Sequence, residues 1–318
     1  MSTHSFDTVQ RFAERVQHAV EGAIVGKPQV IRTVIGVMLA GGHVLFEDYP
    51  GLGKTLLASS LARSMDLQFT RIQFTPDLLP ADITGGAVYN RDSGELELKK
   101  GPIFTNVLLA DELNRASPKT QSALLEAMQE GQVTLDGTTY PLPEPFFVLA
   151  TQNPIEYEGT FPLPEAQLDR FLAKLSIGYP DAAAERTILR NRRERKHDQF
   201  QIASVTTGAE ILSMRELVEE VDVHDDIESY IVELVSKTRQ HSGISVGASP
   251  RASLSIMKLS RSLAALDGRG YIIPDDVKQS ALPALVHRVV LSPELWMRDN
   301  AAVEVVESVI SNVRVPVI

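Results

Sequence analysis

Apolar residues near the amino terminus recur every three or four positions, the spacing of one face of an α-helix. The first such stripe begins at Phe6 and ends at Ile24. The second follows Pro28, which suits the first turn of a helix, and ends at Gly41-Gly42, a favourable helix end. This pattern predicts two amphipathic helices before residue 43.

The pattern then changes to short apolar runs separated by helical stripes. Strands are predicted for the continuous runs 44–46, 107–110 and 146–150, the alternating run 69–74 and a last run at 173–177. A stripe with helical spacing follows residue 55, and another begins at Ser117-Pro118 and stops at Gly131. Strands that alternate with helices indicate an α/β fold with a parallel sheet.

Two hairpins interrupt this alternation. The turn residues Asp92-Ser93-Gly94 separate the runs 87–90 and 95–98. Asp136-Gly137 lies between alternating residues within 132–142 and is the strongest short hairpin signal in the chain. Neither hairpin belongs to the predicted parallel sheet.

After Tyr179-Pro180 the sequence is helical in character. Helices are predicted for residues 183–196, 209–220, 227–239, 253–266, 274–287 and 301–313. We therefore predict an α/β domain over residues 1–180 and an all-helical domain over 181–318. The segment from Arg190 to His197 is basic, but Glu194 interrupts it, which favours a solvated helix over a nucleic-acid-binding patch.

Composition narrows the protein class. Of 318 residues, 43% are hydrophobic and 23% charged, as in ordinary globular proteins, and no apolar run approaches the length of a membrane helix. The chain lacks cysteine, which excludes disulfides and thiolate metal sites and favours a cytoplasmic setting. We expect no signal peptide and no membrane insertion. The net charge of −10 argues against nucleic-acid binding as the main role.

The loop between the first strand and the next helix has the composition of a phosphate-binding loop. Gly51 and Gly53 allow successive backbone N–H groups to point at an anion, close to the positive end of the helix. Lys54 supplies a cation for the outer phosphates, and Thr55 supplies a hydroxyl for Mg²⁺. Asp48 stands where the general pattern has glycine, and an ordinary tight turn is the alternative interpretation.

Polar residues follow two of the predicted buried strands. Asp111 and Glu112 end the run 107–110, where the first can bind Mg²⁺ and the second can deprotonate a water that attacks the γ-phosphate. Asn153 follows the run 146–150, where its amide can hold the same water. The alternatives are two solvent-facing acids and a turn-forming asparagine before proline.

Five motifs in order carry a resemblance to a known family. They are Gly-Leu-Gly-Lys-Thr (51–55), Asp-Glu-Leu-Asn-Arg-Ala (111–116), Ala-Thr-Gln-Asn-Pro (150–154), Pro-Glu-Ala-Gln-Leu-Asp-Arg-Phe (164–171) and Ala-Ser-Pro-Arg (248–251). Together they resemble AAA+ ATPases, and specifically the MoxR family, over roughly residues 6–318. An aspartate at the position of Asp48 is usual in that branch and supports the resemblance.

The resemblance implies a five-stranded parallel sheet in the order 5-1-4-3-2, followed by a helical lid. It implies that Val25 and Gly26 contact adenine and that Asn153 is the first sensor. The residues around the phosphates would be Pro50, Gly51, Leu52, Gly53, Lys54, Thr55 and Leu56.

Two arginines receive roles from the same resemblance. Arg251 would be the second sensor, reaching the γ-phosphate from the lid. Arg170 resembles the arginine presented to the neighbouring subunit's nucleotide, although Arg115 is a rival for that role, and a structural ion pair is the alternative for each.

The implied activity is Mg²⁺-dependent hydrolysis of ATP to ADP by a homo-oligomeric ring, expected to be a hexamer. The ring would remodel or mature partner complexes, or insert metal cofactors, together with a protein that carries a von Willebrand factor A domain. The segments 75–104 and 132–142 would face its pore. A nucleic-acid-stimulated motor of a related helicase or chelatase branch, and a nucleotide-binding scaffold without turnover, are the alternatives.

Overall fold

The computed structural model describes residues 6–89, 96–153, 159–296, 298 and 300–316. The helices are α1 (Phe6–Glu21), α2 (Pro28–Leu39), α3 (Lys54–Ser64), α4 (Pro80–Thr84), α5 (Pro118–Glu130), α6 (Glu165–Leu168), α7 (Ala182–Arg195), α8 (Gly208–Glu219), α9 (Asp225–Thr238), α10 (Pro250–Leu266), α11 (Pro274–Leu285) and α12 (Ala301–Asn312). The strands are β1 (Val44–Glu47), β2 (Phe69–Gln73), β3 (Gly85–Tyr89), β4 (Leu96–Lys100), β5 (Val107–Asp111), β6 (Gln132–Leu135), β7 (Thr138–Pro141), β8 (Phe147–Gln152), β9 (Ala173–Leu175), β10 (Ile244–Val246) and β11 (Val290–Leu291).

Five strands form the central sheet in the order β2-β5-β8-β1-β9, and every neighbouring pair is parallel. Numbered among themselves and read from β9, they give 5-1-4-3-2, which confirms the predicted order. All five strands point the same way, so their carboxyl ends share one edge of the sheet and their amino ends share the opposite edge. A four-residue strand such as β1 separates the two edges by about 13 Å.

Apolar side chains bury the sheet on both faces. Phe46 and Leu109 belong to a cluster that includes residues of α1, α2, α3 and α10. Leu45 and Leu108 point to the other face, into a cluster with residues of α5. This two-sided burial explains why the central strands read as continuous apolar runs rather than alternating ones.

The carboxyl-terminal part is a helical lid, as predicted. The structure adds one feature that the sequence interpretation missed, a short antiparallel pair of β10 and β11. Two such short strands provide no period-two pattern to detect. The boundary near residue 180 stays a prediction, because α1 packs against α10 and one apolar cluster extends through both parts.

Helix termini follow the predicted signals, and the largest shift in the lid is at the start of α10. Ser117 caps α5 by accepting from the backbone N–H of Thr120, and Gly131 ends that helix at a φ of 63°. Helix α10 begins at Pro250, earlier than the predicted residue 253, because Ser249-Pro250 supplies a cap position and a first-turn proline. Arg251 therefore lies in the first turn of α10.

Both predicted hairpins have antiparallel strands, β3 with β4 and β6 with β7. Asp136 and Gly137 have φ values of 49° and 78°, the positive pair that a type I′ turn requires. The predicted tip Asp92-Ser93-Gly94 lies outside the described residues. Within the described ranges, no helix has both the length and the apolar character needed to cross a bilayer.

Candidate functional site

The loop between β1 and α3 has the geometry of an anion-binding loop. Gly51 and Gly53 have φ values of 84° and 86°, in the left-handed region that costs other residues about 1–2 kcal/mol. A Cβ atom at Gly51 would meet nothing within 4 Å, so the backbone conformation rather than space requires glycine there. Gly53 is also the cap of α3, which places the positive end of that helix in the loop.

Asp48 ties this loop to the end of β9. Its side chain is buried at 5% exposure, and one carboxylate oxygen accepts from Ser176 Oγ at 2.6 Å and from the Gly178 N–H at 3.1 Å. The other accepts from the Ile177 N–H at 2.7 Å. These bonds explain the aspartate in a glycine position, and also why β9 ends at Leu175 rather than at the predicted residue 177.

Lys54 lies folded over the loop. Its Nζ donates to the backbone carbonyls of Asp48 at 2.8 Å and Tyr49 at 3.3 Å. Partial burial lowers the pKa of Lys54, against the opposing effect of nearby carboxylates. Carbonyl bonds of this kind hold the ammonium group at the loop until a stronger anionic partner is present.

Asp111 ends β5 at the same edge of the sheet. Its Oδ1 accepts from Thr151 Oγ1 at 2.7 Å, and its Oδ2 accepts from Arg71 Nη2 at 2.7 Å and Nε at 3.0 Å. A guanidinium therefore neutralises this carboxylate. A cation that binds Asp111 must displace or join Arg71.

Glu112 has a φ of 57°, an uncommon value for a non-glycine residue. Its N–H donates to Thr151 Oγ1 at 2.8 Å, which fixes the turn after β5. Its Oε2 accepts from Gln73 Nε2 at 2.7 Å and from Arg115 Nη1 at 3.0 Å. The proposed base is thus engaged by two donors of its own chain.

These groups converge on one cavity of about 410 Å³. Asn153, immediately after β8, lines it together with the acids and the loop. The lining residues are Asp48, Pro50, Gly51, Leu52, Gly53, Lys54, Thr55, Leu56, Arg71, Asp111, Glu112, Thr151, Gln152 and Asn153.

A second cavity, of about 400 Å³, continues from the first, because Gly51, Leu52, Gly53 and Leu56 line both. Its other walls include apolar groups that suit the faces of a purine ring, among them Ile24, Val25, Ile177 and Ile188. Gly26 faces α7 instead, since a Cβ there would lie 2.8 Å from Ala184 Cβ.

The side-chain oxygen atoms of Thr55 and Asp111 are suitable ligands for a Mg²⁺ ion that arrives bound to a nucleotide. Thr55 and Asp111 line the phosphate-side cavity. Within the described part of the chain, no group of three or more His, Cys, Asp or Glu residues could hold a metal by itself. Mg²⁺ commonly takes one or two protein ligands and completes its shell with phosphates and water.

The structure does not bring Arg251 to the loop, which corrects the expectation that it reaches the γ-phosphate of its own chain. Arg170 and Arg251 lie at the amino edge of the sheet, opposite the loop, because Arg170 precedes β9. Arg251 Nη1 is 3.9 Å from Asp169 Oδ2. Both arginines line a third cavity of about 290 Å³, next to Gly41 and Gly42, which precede β1.

Sequence reasoning missed Arg71, Gln73 and Thr151. The first two alternate along β2, and Gln73 pairs with Asp111 across the ladder, which places its side chain next to the acids. Polar residues at positions 71 and 73 of a predicted strand next to an acidic strand end were the available signal. Thr151 carries no signal in the sequence beyond its place in the motif 150–154.

Comparisons with known proteins agree with this geometry. The family model of ATPases associated with various cellular activities (AAA) matches residues 43–173, and the AAA lid domain matches residues 236–309. The Mycobacterium tuberculosis chaperone MoxR1 is 43% identical over 95% of this chain and 82% of its own. The uncharacterized protein YeaC of Bacillus subtilis is 49% identical over 95% and 94%. The crystal structure of a candidate ATPase from Cytophaga hutchinsonii has a TM-score of 0.89 at 40% identity, covering 99% and 98%.

Proposed function

The chain belongs to the MoxR family of AAA+ ATPases, and from this premise we propose that it binds ATP with Mg²⁺ and hydrolyses it to ADP and phosphate. One observation carries the proposal: Lys54, Thr55, Asp111, Glu112 and Asn153 line a single cavity at the carboxyl edge of the sheet. That edge is where open α/β sheets bind their ligands.

Each residue has a separate task. The N–H groups of the glycine loop and the ammonium of Lys54 bind the phosphates. The adenine ring of the nucleotide enters the adjoining cavity beside Val25. Thr55 and Asp111 would hold Mg²⁺, which supplies charge neutralisation at the β- and γ-phosphates. Glu112 accepts a proton from the attacking water, and the amide of Asn153 orients that water.

We propose further that each site is completed by a neighbouring subunit. The cavity at the amino edge is lined by the cations Arg170, Arg251, Lys258 and Arg288 around one acid, Asp169. That excess of positive charge suits the phosphates of another molecule. A head-to-tail interface forms a ring when the rotation between neighbours closes, and we propose a closed ring of six subunits. Arg115 is the weaker candidate for the shared arginine, since it contacts its own Glu112.

The energy of hydrolysis would serve the remodelling or maturation of partner complexes, including insertion of metal cofactors. The name of the relative, chaperone MoxR1, supports a role of this class. The hairpins within 75–104 and 132–142 stand outside the central sheet and are proposed to face the pore. A protein with a von Willebrand factor A domain is the proposed partner.

Paired variants test the enzymatic proposal. Glu112→Gln is expected to bind ATP and Mg²⁺ with nearly unchanged affinity but to release phosphate about 10²–10⁴-fold more slowly, because the amide cannot accept a proton. Lys54→Ala is expected to lose nucleotide binding. Glu126→Gln, an exposed position on α5, is the matched control and should behave as wild type.

Nucleotide titrations and phosphate-release assays, with and without added DNA, decide the outcome. Normal turnover by Glu112→Gln would remove Glu112 from the chemistry. Tight ATP binding without turnover by the wild type would favour a scaffold, and strong stimulation by DNA would favour a nucleic-acid motor.

A further inference from the structure

Arg288 lies just after α11 with a side chain only 2% exposed. Its Nε donates to Asp169 Oδ1 at 2.6 Å, and its Nη2 donates to the carbonyls of Phe171 at 2.6 Å and Asp169 at 3.2 Å. Its Nη1 donates to the carbonyls of Leu172, at 3.2 Å, and Ala284. One guanidinium thus binds the chain on both sides of residue 170.

The residue next to it adds a contact to the same segment. His287 is buried, and its Nε2 lies 3.0 Å from the carbonyl oxygen of Phe171. Arg170 is therefore flanked by Asp169 and Phe171, both of which the end of α11 holds. The side chain of Arg170 remains on the wall of the amino-edge cavity.

The second oxygen of Asp169 connects the segment to another lid helix. Asp169 Oδ2 accepts from Ser249 Oγ at 3.3 Å and lies 3.9 Å from Arg251 Nη1. Ser249 and Arg251 are at the beginning of α10. One carboxylate thereby sets the positions of Arg170 and Arg251 relative to each other, although the first comes from the core and the second from the lid.

A buried ion pair of this kind is a weak source of stability, because desolvation of the charges offsets their attraction. It does restrict geometry, since a planar guanidinium with several acceptors admits few orientations. Four of the five hydrogen bonds that Arg288 donates are directed at the segment that carries Arg170; the fifth goes to Ala284 within α11. This arrangement suits a residue whose role is to fix the orientation of Arg170.

We propose that Arg288 is a positioning residue for Arg170, acting through the carboxylate of Asp169 and the carbonyl of Phe171. It holds Arg170 so that its guanidinium enters the nucleotide site of the neighbouring subunit. This inference rests on the shared site of the proposed function. It also makes the lid of one subunit a determinant of hydrolysis in the next.

Mixed rings test this assignment. Arg288→Met removes the guanidinium and keeps an apolar stem, so each variant subunit has an intact phosphate loop but a misplaced Arg170. Alone, it should show a large fall in kcat with little change in the affinity of its own site for nucleotide. Mixed with Lys54→Ala, it should regain phosphate release, because roughly a quarter of randomly formed head-to-tail interfaces then pair an intact loop with an intact Arg288.

Three comparisons make the result specific. Arg288→Met mixed with Arg170→Ala should stay inactive, because both defects lie on the same side of the interface. Arg288→Lys should recover part of the kcat by keeping a charge near Asp169. Arg261→Met, which removes another lid ion pair, with Glu219 at 2.8 Å, should retain wild-type turnover.

A reference mixture of Arg170→Ala with Lys54→Ala separates this inference from the proposed function. Suppose that the reference mixture recovers activity and that the mixture with Arg288→Met, shown to be folded, does not. The positioning role is then overturned, and the shared site stands. If neither mixture recovers, the shared site falls and this inference with it. Should Arg288→Met fail to fold, Asp169→Asn takes its place in the mixture: recovery supports the role, and absence of recovery overturns it.

Discussion

The amide of Gln73 at the end of β2 donates a hydrogen bond to the carboxylate of Glu112 at 2.7 Å. The bond engages the oxygen that also accepts from Arg115. A carboxylate held by two donors is less mobile than a free one. The base of the proposed reaction is therefore restrained by its own chain in this structure.

We predict that Gln73→Met raises the basal ATPase rate about three- to tenfold, because one hydrogen bond to Glu112 contributes on the order of 1 kcal/mol. Nucleotide affinity should not change. Steady-state phosphate release at saturating ATP measures the effect, with Gln240→Met on the lid surface as control. An unchanged or lower rate would show that the bond does not restrain Glu112.

Asp48 offers a test of the loop itself. Replacement by glycine restores the general loop pattern but leaves the N–H groups of Ile177 and Gly178 without their acceptor. We predict that Asp48→Gly lowers the free energy of unfolding by about 1–3 kcal/mol and weakens ATP binding, because buried donors lose a charged partner.

Urea unfolding and nucleotide titration check this prediction. The matched control is Asp66→Gly, an exposed position with a φ of 53° where glycine is favoured. If Asp48→Gly bound ATP as tightly as the wild type, the tie between the loop and β9 would have no part in nucleotide binding.

His43, which precedes β1, links folding to pH. It is 7% exposed, its Nδ1 accepts from the Val148 N–H at 3.1 Å, and its Nε2–H donates to the Met128 carbonyl at 3.1 Å. Burial is the main cause that lowers the pKa of His43 from 6.5 to about 4; the hydrogen bond to Met128 opposes the shift, and the charge of Arg215 contributes to it. A neutral imidazole is thus built into the core.

Because the folded-state pKa lies below the unfolded one, stability is fully present above pH 6.5 and is lost as the pH falls toward 4. His43 alone should reduce the free energy of unfolding by about 2 kcal/mol at pH 5 relative to pH 7.5. Burial lowers the pKa of His287 as well, which adds a loss in the same direction. Urea unfolding at the two pH values should show a smaller difference in His43→Gln, and equal differences would contradict this account.

The location of Arg251 gives a prediction that distinguishes its two possible sites. At the amino edge it cannot touch the nucleotide of its own chain. We therefore predict that Arg251→Ala leaves ATP affinity unchanged in dilute, monomeric protein and lowers turnover at least tenfold in assembled protein. Nucleotide titrations and phosphate-release assays at low and high protein concentration measure these effects. Weaker ATP binding by the dilute variant would show that Arg251 contacts the nucleotide of its own chain.

Local patterns were sufficient to predict much of the fold. The continuous apolar runs around Leu109 and Leu149 identified buried strands, and Asp136-Gly137 identified a turn, since each signal is contained in a few adjacent residues. The sequence also predicted the edge of the sheet at which the nucleotide site lies, because acids at the end of a buried strand must lie at the carboxyl edge of a parallel sheet.

Long-range relations were beyond those patterns. The sequence does not give the direction from which the lid approaches the sheet, so it cannot place Arg251 at one edge or the other. The partners of Asp48, near residue 177, and of Arg288, near residue 170, are more than a hundred positions away in the chain. Such contacts are decided by packing of the two parts, not by local periodicity.

The central claim is that ATP is hydrolysed at a site built by two subunits, and a mixture of two inactive variants tests it most directly. Lys54→Ala is expected not to bind nucleotide, and Arg170→Ala is expected to bind it but to lack the arginine that its neighbour needs. An arginine supplied in this way is worth roughly 10³–10⁵ in rate in GTPases. We predict that phosphate release is near background for each variant alone and rises severalfold when they are mixed and allowed to assemble. Background release at every mixing ratio, with exchange of subunits verified, would contradict the shared site.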